Sequence, residues 1–169
     1  MNDDKGVGSS SSGIGETADA EAGVSELGSS PGENSGPPEP VPMILRGQAM
    51  QEYWYEEGCF ITEWLNSPDD PALSIARARV MPGVTTRLHR LVGVSERYVI
   101  LEGQGRVELV GPDGEVTSAD HYVSDVEPGD VVVIPPLVSQ RVSNIGGTDL
   151  VFLALCTPRF TRAAYLESS

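Results

Sequence analysis

From Met43 onward the chain is written in short apolar runs cut by Gly, Pro and Asp. That texture limits what it can fold into more than any other feature. "EYWYEEGCFITEWLN" alternates around Gly58, "ALSIARARV" alternates from Leu73 to Val80, and "ERYVILEGQGRVELV" is broken by glycines near 103–105. A period of two suits a strand with one buried face, because successive side chains point to opposite sides. "NSPDDP", "MPG", "GPDG", "EPGD" and "IGGTD" supply the turns between runs. Only the last dozen residues show helical periodicity, so "TRAAYLESS" is expected to add a short helix. Many short strands at regular spacing predict an all-β sandwich or barrel. "VVVIPP" and "LVFLAL" lack polar alternation, which predicts that both of their faces are buried.

Residues 1–42 are a different material, rich in Gly, Ser, Glu and Pro and nearly free of aromatics. Such a segment cannot bury enough apolar surface to offset chain entropy, so a disordered acidic tail is expected there. Residues 43–169 then form one domain. Of the formal net charge of -14, the tail and the body each hold half, and all ten cations of the body are arginines. A chain of that sign has no attraction for phosphate backbones, which argues against nucleic acid as a partner. No run approaches the length of a membrane span and no apolar leader opens the chain, so a cytoplasmic protein is expected. The two cysteines, Cys59 and Cys156, form neither a CxxC pair nor a disulfide framework.

Two spaced patterns carry the chemistry. The first reads Gly83, five residues, His89, one residue, Leu91, four residues, Glu96, six residues, Gly103. The second reads Gly129, five residues, Pro135, one residue, Leu137, two residues, Gln140, three residues, Asn144. In spacing, the pair resembles the two motifs of the cupins, small β-barrels of jelly-roll type. The resemblance implies a barrel core over about 73–157, a small-molecule ligand in its interior and pairing into a homodimer. In that family two histidines and the glutamate of the first motif, with the histidine of the second, commonly bind a divalent metal. Here Leu91 and Gln140 stand at two of the histidine positions, and Leu137 replaces a turn glycine. The first motif also looks like that of sugar-phosphate isomerases, including mannose-6-phosphate isomerases, and of guanylyltransferase relatives.

Strand parity places Arg87, His89 and Leu91 on one face, Glu96, Tyr98 and Ile100 on another, and Val138, Gln140 and Val142 on a third. If these faces line the interior, His89, Glu96 and Gln140 converge, with Arg87 and Tyr98 beside them. One imidazole, one carboxylate and one amide oxygen make a thin set for Fe(II), Mn(II) or Zn(II). Without metal, His89 is expected to act as a general base, its pKa raised by Glu96, with Tyr98 as the acid. Arg87 would then hold a substrate carboxylate or phosphate and Gln140 would contact the substrate. Sugar-nucleotide epimerases with a cupin-like barrel work in broadly this way. Two further readings stay open: a barrel that binds or senses a ligand without turnover, and a buried polar network that only satisfies itself. Elsewhere, Arg77, Arg79 and His121 are expected at the surface, Cys59 as a small buried apolar group or a reactive thiol, and Phe160 as a cover on the barrel.

Overall fold

The computed structural model describes residues 42–111 and 121–168. Residues 1–41 of the expected tail over 1–42 and most of the "GPDG" turn lie outside the described residues. Among the described residues eleven strands run in chain order. They are β1 Tyr53–Tyr55, β2 Cys59–Leu65, β3 Ser74–Val80, β4 His89–Leu91, β5 Ser95–Glu102 and β6 Gly105–Val110. The others are β7 His121–Val126, β8 Val131–Ile134, β9 Ser139–Asn144, β10 Leu150–Thr157 and β11 Tyr165–Glu167. They form two antiparallel sheets, ordered β1-β2-β3-β10-β5-β8 and β11-β4-β9-β6-β7. Among the described residues there is no α-helix, and no helix long and apolar enough to cross a membrane.

The alternation read from the sequence decides which face turns inward. On β5, Glu96, Tyr98 and Ile100 are buried while Ser95, Arg97 and Val99 are half-buried. Tyr98 and Ile100 pack with Ala78, Val80, Val107, Val142, Leu150 and Phe152 from both sheets into one apolar cluster. Fully burying each large side chain of this set contributes roughly 1.5–3 kcal/mol against chain entropy. Gly105 sits where the sheets approach closely: a Cβ there would stand 2.9 Å from Leu150 Cδ2.

The turn residues of both motifs do structural work. Gly103 has φ +82°, and a Cβ on it would lie 2.5 Å from the Asp149 carbonyl oxygen, so no other residue fits. Asn144 donates from Nδ2 to the carbonyls of Val80 and Thr148, both at 2.8 Å, and accepts from the Gly146 amide at 2.9 Å. Leu137, at the position of a motif glycine, keeps the left-handed backbone with φ +69°.

Two expectations are corrected. The C-terminal stretch is not a helix: Arg162–Ala164 is a single 3-10 turn, and Tyr165–Glu167 pairs with β4 as strand β11. The ladder to β4 and the Ser168 amide bonded to the Leu88 carbonyl at 3.0 Å outweigh a weak local periodicity. Nor is "VVVI" buried on both faces. It is the edge strand of its sheet, with Val131 and Val133 57% and 60% exposed.

Candidate functional site

The site is built where β4, β5 and β9 end together beneath the β1–β2 turn. His89 pairs in register with Gln140 across β4 and β9, and Glu96 lies opposite Cys156 on the facing sheet. All three polar side chains are buried, Gln140 to 1% exposure. The Gln140 amide nitrogen donates to Glu96 Oε2 and lies 3.4 Å from His89 Nε2. Both of its hydrogens are thereby engaged, which leaves Gln140 Oε1 buried without a partner. Cys156 Sγ stands 3.7 Å from Glu96 Oε1.

His89 Nδ1 lies 3.0 Å from the Arg87 carbonyl oxygen. A carbonyl only accepts, so Nδ1 carries the proton and Nε2 presents its lone pair to the cluster. The ring stacks on Tyr165, with centroids 4.9 Å apart and planes at 22°. Burial lowers the His89 pKa, and the Glu96 charge offsets this only in part. The expectation of a raised value is therefore corrected, because desolvation of the imidazolium outweighs its attraction to one carboxylate.

A second carboxylate, not foreseen from the sequence, completes the cluster. Glu57 Oε1 lies 3.6 Å from His89 Nε2. Glu57 belongs to the turn closed by Gly58, and its carbonyl accepts from the Arg87 amide at 2.7 Å, which ties that turn to the start of β4. Burial pushes the Glu57 carboxyl up to about 7, and the neighbouring Glu56 adds to the rise. Burial likewise pushes Glu96 up to about 7, against the opposing pull of His89 and Gln140. Parity cannot find Glu57, because it sits in a turn. Tyr165 was hidden by the helical look of its segment.

Glu57, Glu96 and Tyr98 face a cavity of about 80 Å³ between the sheets, open to solvent at its mouth. Phe160 lines it as well, but His89 and Gln140 stand behind the two carboxyls rather than on its wall. Tyr98 is buried against Phe152, ring centroids 4.5 Å apart, and burial raises its phenol well above the ordinary value. Arg87 is not brought into the cavity. It precedes β4, where the backbone has left strand alternation, and its half-exposed guanidinium lies 3.4 Å from Glu167. Arg77 and Arg79 bind Glu52 on the outer face, and His121 lies partly exposed 3.6 Å from Glu108.

Among the described residues no three His, Cys, Asp or Glu side chains stand close enough together to hold an ion. Leu91 supplies no lone pair, and Gln140 turns its nitrogen rather than its oxygen toward Glu96. As arranged, these residues do not fit a resident metal.

The model of the Cupin family matches residues 62–161. The chain is a cupin. This cupin is 31% identical over 114 residues to the uncharacterized protein MJ1618 of Methanocaldococcus jannaschii, covering 66% of this chain and 83% of that one. It is 37% identical over 67 residues to a glucose-6-phosphate isomerase of Pyrococcus furiosus, covering 40% of this chain. The cupin spans only 33% of that isomerase's length. Among solved structures it superposes on Pac13, a nucleoside dehydratase, with a TM-score of 0.59 at 15% identity. That superposition covers 76% of this chain and 92% of the other, and it shows the fold alone.

Proposed function

We propose that this cupin is an enzyme that moves protons on a small polar metabolite held in the barrel, in the manner of an isomerase or epimerase. One observation carries the reading: two carboxyls, Glu57 and Glu96, face the cavity and both sit near 7. A carboxyl tuned to the working pH has both protonation states at hand, so it can take a proton from a carbon as the carboxylate and return it as the acid. The reading gives Glu96 the role of base and Glu57 that of the matching acid, with Tyr98 donating from the cavity wall. His89 and Gln140 act behind them as positioning residues. The two amide hydrogens of Gln140 hold Glu96 Oε2 and His89 Nε2, and that Nε2 lone pair faces Glu57. Arg87 has no part at the substrate, and no step passes through a metal.

The test is deuterium uptake. Full-length chain is incubated in D2O with hexoses, amino sugars and their phosphates, and C–H to C–D exchange is followed by NMR. Glu96→Gln should slow exchange at least about a hundredfold, and EDTA should leave the wild-type rate unchanged. Exchange that survives Glu96→Gln, or that EDTA removes and Mn(II) restores, would overturn the reading.

For the partner we retain a homodimer. Exposed Val131 and Val133 on edge strand β8 support it. A solution mass of one chain would remove it.

A further inference from the structure

We propose that the metabolite is a small organic cation bearing an ammonium group, and that phosphorylated and carboxylated compounds are excluded. The inference rests on the proton-transfer reading above and names the substrate class of the same cavity.

Its lining is one-sided in charge. Three carboxylates project into it, Glu57 and Glu96 at depth and Glu63 at the exposed mouth. No Lys, Arg or His is among the lining residues. The guanidiniums nearby are engaged elsewhere: Arg159 on Asn66 Oδ1 at 3.0 Å, Arg162 on Glu56 at 2.5 Å, and Arg87 on Glu167. A phosphate placed here would meet carboxyls and no cation on the wall, since the Arg162 charge that reaches Glu57 is held outside on Glu56.

The uncharged part of the wall fits the same guest. Tyr53, Tyr55 and Tyr98 present aromatic rings, whose faces attract ammonium groups. On that wall the Tyr55 hydroxyl is buried without a hydrogen-bond partner. An ammonium carries three donors and no acceptor, which complements the carboxylates and a lone pair of the Tyr55 hydroxyl. Burying carboxylates without a counter-charge is costly, and a cation brought in by the ligand removes that cost. The net charge of -14 steers cations toward the chain and repels anions before contact. Because the donors are not gathered around a point, an extended organic cation suits them better than a bare metal ion.

The experiment titrates full-length chain at low ionic strength with matched probes, using calorimetry and amide NMR shifts. The sets are glucosamine, glucose and glucose 6-phosphate, then ethanolamine, ethylene glycol and phosphoethanolamine. In each set the amine should bind at least about tenfold tighter than the alcohol, and the phosphate most weakly. Glu63→Gln should weaken amine binding roughly threefold, because its carboxylate is solvent-screened, and leave alcohol binding unchanged. An amine no better than its alcohol, a phosphate that binds tightest, or amines that produce no shift at all would overturn the proposal. The D2O assay separates the two claims. Amine binding without deuterium uptake sinks proton transfer and keeps the charge class. Uptake into a phosphorylated sugar but not into an amine sinks the charge class and keeps proton transfer.

Discussion

At one end of the barrel, Val80 of β3, Ile100 of β5, Val142 of β9 and Leu150 of β10 are at most 1% exposed. At the other end the same four strands carry Ser74, Glu96, Gln140 and Cys156, equally inward and all buried. The first end is filled: a Cβ on Gly105 would touch Leu150, Val126 and Val142 at once. The second holds a cavity, two carboxyls raised by burial and two buried oxygens without a partner, the Tyr55 hydroxyl and Gln140 Oε1. The contrast teaches that one end of the strands sustains the fold while the other keeps buried polar groups at a cost in stability.

The largest expected effect tests the filled end. Ile100→Ala should cost about 3 kcal/mol of stability in urea unfolding, because it removes buried methyl groups and leaves a cavity. A loss under about 1 kcal/mol would mean that this end is loosely packed, and the comparison would break.

The hollow end should respond with the opposite sign, and its response should depend on pH. Glu57 and Glu96 bind their protons more tightly in the folded chain than in the unfolded one, where a Glu titrates near 4.5. Between about 4.5 and 7 the folded state therefore holds more protons, and this contribution to stability, full below 4.5, falls as pH rises through that window. Glu96→Gln removes one of the two groups. Measured against wild type, the variant should gain roughly 2 kcal/mol of relative stability between pH 5 and pH 8. A difference that stays flat over that range would show that Glu96 ionises as an ordinary surface acid does.

The smallest effect concerns the loop between β8 and β9. Leu137 holds φ +69° and is 41% exposed, so its side chain gains little where it stands. Leu137→Gly should stabilise the chain by up to about 1 kcal/mol, by relieving left-handed strain. Destabilisation would show that the leucine packs in solution against something absent from the single chain.

The strands were legible because each depends on local alternation and on turn residues with a fixed conformational task. Gly83, Gly103 and Gly129 all take positive φ where the motifs place glycine. The meeting of His89, Glu96 and Gln140 was legible for the same reason, since parity on three strands points them to one interior. What escaped was set by distant pairing. "TTRLHRL" yields only a three-residue β4, because the Arg87 amide leaves the ladder for the Glu57 carbonyl, and contact with β9 resumes only as an isolated Thr85–Ser143 bridge. Arg87 thereby loses the parity that would have turned it inward. Strand β11 owes its form to β4, far away in sequence, so nothing local announced that Tyr165 would stack on His89. Glu57 lies in "EEG", which reads as any hydrophilic turn until its carbonyl is tied to Arg87.

The central claim is that Glu96 is a buried carboxyl held near neutrality at the cavity wall. Its most direct test is a 13C NMR titration of the glutamate side-chain carboxyls from pH 4 to 9, with Glu96 assigned by the loss of its signal in Glu96→Gln. The account predicts a midpoint near 7 for that resonance. A midpoint at or below the ordinary value of 4.5 would contradict it, and the proton-transfer reading would fall with it.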